Sequence, residues 1–68
     1  MIKGTLENWC VHPLCFIIAR FDGKQISTSR VVSRDGNTIT TKSGSVYELG
    51  QPLLDGQFER LDEAIKEQ

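Results

Sequence analysis

With 68 residues, 38% of them hydrophobic, and only two cysteines, the chain is a single domain close to the lower limit for a self-sufficient core. Its net charge of -1 argues against a general polyanion binder, and two cysteines are too few for a disulfide-dense scaffold. Stability must come from tight folding or from burial against a second copy.

Ile2, Gly4 and Leu6 alternate with Lys3, Thr5 and Glu7, which predicts a short half-buried strand. Asn8 to Pro13 reads as an irregular connection, because Pro13 cannot donate to a ladder and biases His12 toward extended geometry. Trp9 lies in this connection, and an indole there must pack under the barrel or face a partner. Leu14–Phe21 is apolar on both parities, which predicts a central strand covered on both faces.

Gln25–Ser33 follows the turn signal Asp22-Gly23. Its apolar parity changes between Ile26 and Val31, so a bulge or bend is expected near Ser29-Arg30. Asn37–Lys42 and Ser45–Leu49 are β-prone runs bounded by Asp35-Gly36 and Ser43-Gly44. Gly50-Gln51-Pro52 stops the ladder. Phe58, Leu61, Ala64 and Ile65 then recur at helical spacing, with Asp55 as a cap and Asp62–Lys66 as an i,i+4 pair.

The resulting fold expectation is mainly β with an α+β finish. A five-stranded antiparallel meander over residues 1–50 forms a small SH3-like or OB-like barrel, or a curled sheet. Residues 51–56 act as a turn, and 57–67 form a C-terminal amphipathic helix, all within one domain, 1–68. No apolar h-region follows Met1, and Leu14–Ala19 is too short to cross a bilayer, so a soluble cytoplasmic protein is expected.

Cys10, His12 and Cys15 form a C-x-H-x-x-C pattern that has one ligand too few for a structural zinc site. A Cys10–Cys15 disulfide is disfavoured by a reducing compartment. A Cys–His nucleophile would lack an orienting carboxylate nearby in sequence. Neither a P-loop nor a dinucleotide glycine fingerprint is present. No catalytic residue, metal or cofactor is therefore assigned, and the chain is read as a non-enzyme.

Charge is uneven along the chain. Residues 1–44 carry six basic and three acidic side chains, a net +3, whereas residues 45–68 carry two basic and six acidic, a net -4. Arg30 and Arg34 share strand parity and could form a basic stripe suited to phosphate or carboxylate. Alternatively, they pair with helix carboxylates such as Glu59 or Glu63. Together with Arg20, Lys24 and Lys42, they are the ingredients of a small-barrel binder of single-stranded nucleic acid, with Trp9, Phe16, Phe21 or Tyr47 for stacking.

The stretch Gly23-Lys24…Ile26-Ser27-Thr28-Ser29-Arg30-Val31-Val32, with Asn37-Thr38-Ile39-Thr40-Thr41-Lys42-Ser43-Gly44-Ser45-Val46-Tyr47-Glu48-Leu49-Gly50, resembles small uncharacterised proteins of bacterial phages and mobile elements. That resemblance implies no activity and supplies no functional residues. It implies an accessory protein that binds a host protein, for example an inhibitor of a defence system. The functional expectation is a small binding or assembly protein acting by protein–protein contact. It is expected to be a homodimer with a host-protein partner, contacting through Trp9, the Arg30–Arg34 stripe and the helix face. Nucleic-acid binding through Arg20, Lys24, Arg30, Arg34 and Lys42 is the alternative, and no membrane is involved.

Overall fold

The computed structural model describes residues 2–67. Six strands and one helix follow in chain order: β1 (Ile2–Val11), β2 (Ile17–Phe21), β3 (Lys24–Ser27), β4 (Val31–Asp35), β5 (Thr38–Thr41), β6 (Val46–Leu49) and α1 (Gln57–Lys66). They form one sheet in the order β3-β2-β1-β6-β5-β4. The pair β1–β6 is parallel and the other four pairs are antiparallel.

This overturns the expected five-stranded antiparallel meander. It also overturns the SH3-like or OB-like barrel and the curled sheet, because among the described residues β3 and β4 are the two edges of the sheet and no ladder joins them. The cause lies in β1, which the alternation of residues 2–7 had marked as short. The strand continues through Asn8–Val11 and serves two neighbours in succession. Its first half pairs with β6 at Ile2↔Val46, Thr5↔Glu48 and Leu6↔Leu49, and its second half pairs with β2 at Cys10↔Ile18 and Val11↔Ile17. The register shift between Glu7 and Cys10 falls where Asn8 has φ 50°, a left-handed conformation that asparagine tolerates better than most residues.

The expected strand Leu14–Phe21 starts only at Ile17. Residues 12–16 close a tight turn instead, with His12 N–H donating to Phe16 O (2.8 Å) and Cys15 N–H to His12 O (2.8 Å). Nor is this strand covered on both faces. Ile17 and Ala19 are buried, while Ile18 is half-buried and Arg20 is exposed.

The stretch Gln25–Ser33 breaks at the expected place, but into two strands rather than one bulged strand. Residues 28–30 pass beside the entry to β2, where Thr28 N–H donates to Ile17 O and Val31 N–H to Cys15 O, both at 2.8 Å. The β2–β3 hairpin turns at Asp22-Gly23, whose φ values of 53° and 77° suit a type I′ turn.

The core lies between the sheet and α1. Leu6, Trp9, Ile17, Ala19, Val31, Ile39 and Leu49 supply its sheet side and Leu61 its helix side. Phe58, Ala64 and Ile65 join it as the helical spacing predicted, and α1 packs on β1 and β4. The helix begins after Gly56 (φ 83°) with no side-chain cap, so Asp55 does not cap it. A radius of gyration of 10.5 Å is close to the roughly 11 Å expected of a folded chain this long. None of the described helices is long and apolar enough to cross a membrane.

Candidate interaction surface

The strongest polar contact holds α1 against β4. Arg34, near the end of β4, makes a bidentate ion pair with Asp62, from Nε to Oδ1 at 2.7 Å and from Nη2 to Oδ2 at 2.6 Å. Arg34 Nη1 also donates to Gly36 O at 2.6 Å, and the guanidinium lies 5.1 Å from the Phe58 ring centroid. The forked geometry holds the Asp62 carboxyl below its ordinary value and raises the Arg34 guanidinium, chiefly through the shared hydrogen bonds. Arg34 is thus engaged within the chain. Its partner is Asp62, neither Glu59 nor Glu63, and Asp62 turns away from the expected i,i+4 pair with Lys66.

Trp9 is fully buried. Its ring meets Phe58 edge-on at 4.9 Å, and its Nε1–H donates to Gly50 O at 2.9 Å. Of the two readings of this indole, packing is the one observed. The bulge at Asn8 makes it possible, since it re-aims the side chain inward.

The other basic residues do not converge into one stripe. Arg20 sits on the outer face of β2 and Lys24 opens the edge strand β3. Arg30 lies in the 28–30 connection and Lys42 in the turn after β5, joined through Lys42 N–H and Arg30 O (2.8 Å). Beside them, hydroxyls of Ser29, Thr41, Ser43 and Ser45 hydrogen-bond one another and Ser45 O, which ties the 41–45 turn to the connection.

Among the described residues, no three of His, Cys, Asp and Glu are arranged to hold a metal ion. Cys15 Sγ donates to Val31 O at 3.4 Å and is buried, and no disulfide joins it to Cys10. His12 stacks on Phe16 at 4.2 Å and accepts the Leu14 N–H at Nδ1 (3.1 Å).

Two grooves lie along the outer side of β1, β2 and β3, and Ile18 and Gln25 line both of them. The first is lined by Asn8, Cys10, Ile18, Ala19, Arg20, Gln25 and Leu53, and the second by His12, Phe16, Ile18, Gln25, Ile26 and Ser27. Ile18 is their shared floor. The ladder arranges this face in two cross-strand rows: Cys10, Ile18 and Ser27 in one, and Glu7, Arg20 and Gln25 in the next.

Leu53 (56% exposed) closes one end of the first groove, held there by its N–H to Trp9 O at 2.8 Å. The neighbouring Leu54 is 64% exposed. Another groove, between α1 and residues 11–13, is rimmed by Arg60, Glu63 and Glu67, so charges of both signs crowd its entrance. Of these grooves, the one lined by Leu53 has the most apolar lining.

Ile18, Gln25 and Leu53 were not singled out by sequence reasoning. For Leu53 a signal existed: two adjacent leucines between Pro52 and Asp55-Gly56, in a stretch too turn-rich to bury them. Ile18 was hidden inside an apolar run that looked buried throughout.

No family model, no curated protein and no solved structure matches this chain. These comparisons lend no support to the likeness of residues 23–50 to phage and mobile-element proteins, or to the SH3-like barrel.

Proposed function

We propose that this chain is a small non-enzymatic binding module that acts by protein–protein contact through the outer face of β1, β2 and β3. The observation that carries this reading is a pair of grooves that share Ile18 and Gln25, the first also lined by the exposed Leu53, on a face that no described element covers. Apolar surface ringed by polar side chains is the usual composition of a contact site, with the hydrophobic part central and the polar part at the rim. Asn8, Gln25 and Ser27 supply that rim.

Edge-to-edge pairing is the less favourable mode. β3 has four residues and begins with Lys24, and β4 has five and carries Arg34 and Asp35. Short and charged strands are poor templates for strand addition.

The reading is tested by placing a photo-crosslinking residue at Leu53, and separately at Val32 on β4, in the full chain within its native cell. Covalent adducts with another protein at position 53, absent at position 32, are the expected result. Adducts at neither position, or equally at both, would overturn it.

A further inference from the structure

The outer face carries two chemistries side by side, and their spacing restricts what can lie on it. Ile18 and Arg20 alternate along β2, so both project to the same side, roughly 7 Å apart by the strand rise. Among the described residues, Arg20 is the charged side chain that lines the Leu53 groove, with the amides of Asn8 and Gln25 beside it.

The carboxylate nearest in register is Glu7, which is committed elsewhere. Its Oε2 accepts the Gln51 N–H at 3.3 Å, and its carboxylate fills the space over Gly50 so closely that a Cβ there would lie 2.7 Å from its oxygens. Arg34–Asp62 is the ion pair found among the described residues, so the Arg20 fork is left to meet a carboxylate from outside.

We propose that this face binds an extended protein segment bearing an apolar side chain and, two residues further along, a carboxylate side chain. The apolar group seats on Ile18 and Leu53, and the carboxylate meets Arg20 and Gln25. In extended backbone, side chains at i and i+2 share a face about 7 Å apart, which matches the interval between the two rows, whereas i and i+1 point to opposite faces. The partner is therefore acidic as well as apolar. This inference rests on the outer face being a protein contact, and it specifies the chemistry of what that contact accepts.

The test uses the full chain and three capped heptapeptides, titrated by amide and methyl NMR. One contains Leu-x-Glu, the second Leu-x-Gln, and the third the same residues as the first with Leu and Glu adjacent. The Leu-x-Glu peptide is expected to bind at least tenfold more tightly than the other two and to shift the signals of Ile18, Arg20 and Gln25. Arg20→Gln, at an exposed site, should erase the preference, and Arg20→Glu should transfer it to a Leu-x-Lys peptide. Equal binding of the three peptides, or shifts confined to other residues, would overturn the inference.

Crosslinks at Leu53 without Leu-x-Glu binding would leave the contact standing and remove only this assignment. Sedimentation of the crosslinked species then tells whether a second copy is the occupant. If neither crosslinks nor peptide binding occur, the contact itself fails as well.

Discussion

The inner and outer sides of the β1–β2 pair are made from the same strands, yet the chain finishes them differently. On the inner side, Leu6, Trp9, Ile17 and Ala19 meet Phe58 and Leu61 of α1, and the Arg34–Asp62 fork pins the helix in place. On the outer side, no described element covers Cys10, Ile18 and Arg20, and Leu53 extends that surface into solvent. One helix of ten residues can cover only one face of a six-stranded sheet. The lesson is that the aromatic and ion-pair contacts of Trp9, Phe58, Arg34 and Asp62 dock the helix on one side, whereas Leu53 stays exposed beside the groove on the other.

The largest effects should separate the two sides most sharply. Ile17→Asp buries an unpaired carboxylate, and Trp9→Ala removes a buried ring at a cost of about 3–5 kcal/mol, as much as a core this small supplies. Both variants should be unfolded by circular dichroism at 25 °C. By contrast, Ile18→Asp, one residue along, should change the urea unfolding free energy by less than about 1 kcal/mol. A comparable loss at positions 17 and 18 would break the distinction between covered and uncovered faces.

An intermediate effect is expected at Gly4, where the Phe21 ring occupies the space a side chain would need. A Cβ at Gly4 would lie 2.5 Å from Phe21 Cε1 and 3.0 Å from its Cζ. Gly4→Ala should therefore destabilise by about 1–3 kcal/mol through overpacking. It should also move the Phe21 and Tyr47 ring signals together, since these rings meet edge-on at 5.9 Å. An unchanged unfolding midpoint would mean that Phe21 is not held in place.

The smallest effect belongs to the helix clamp. Arg34 and Asp62 are partly solvated, so a double-mutant cycle with Arg34→Gln and Asp62→Asn should give a coupling under about 1 kcal/mol. Folding lowers the Asp62 pKa from its ordinary value of 3.8, so the folded state favours the ionised carboxylate. The contribution is present in full above that ordinary value and is lost as pH falls through the lowered one. Wild type should consequently lose more stability than Asp62→Asn below about pH 4, and parallel acid curves for the two would refute the assignment.

How much of this was legible beforehand depended on the range of the interaction. The hairpin turns at Asp22-Gly23 and Gly36, the break near Ser29-Arg30 and the apolar spacing of α1 were visible because each depends on residues a few positions apart. The continuation of β1 through Asn8–Val11 was not. A stretch containing Trp, Cys and a residue at positive φ shows no clean alternation, and its pairing partner Ile17–Ile18 is set by the turn at residues 12–16. The role of Arg34 was visible only as one alternative, since nothing in the spacing of residues 30–34 selects Asp62 from the acidic groups of α1.

By itself, the order of residues determined the local pieces: strand-forming runs, the turns between them, one amphipathic helix, and a basic first part followed by an acidic tail. Tertiary structure alone decided that β1 would run parallel to β6, that Trp9 would face inward, and that the second face of β2 would stay open. Those outcomes follow from pairings across 40 or more residues, such as Leu6 with Leu49 and Trp9 Nε1–H with Gly50 O. Periodicity reports which residues share a side, whereas only the packed chain assigns that side to the core or to water.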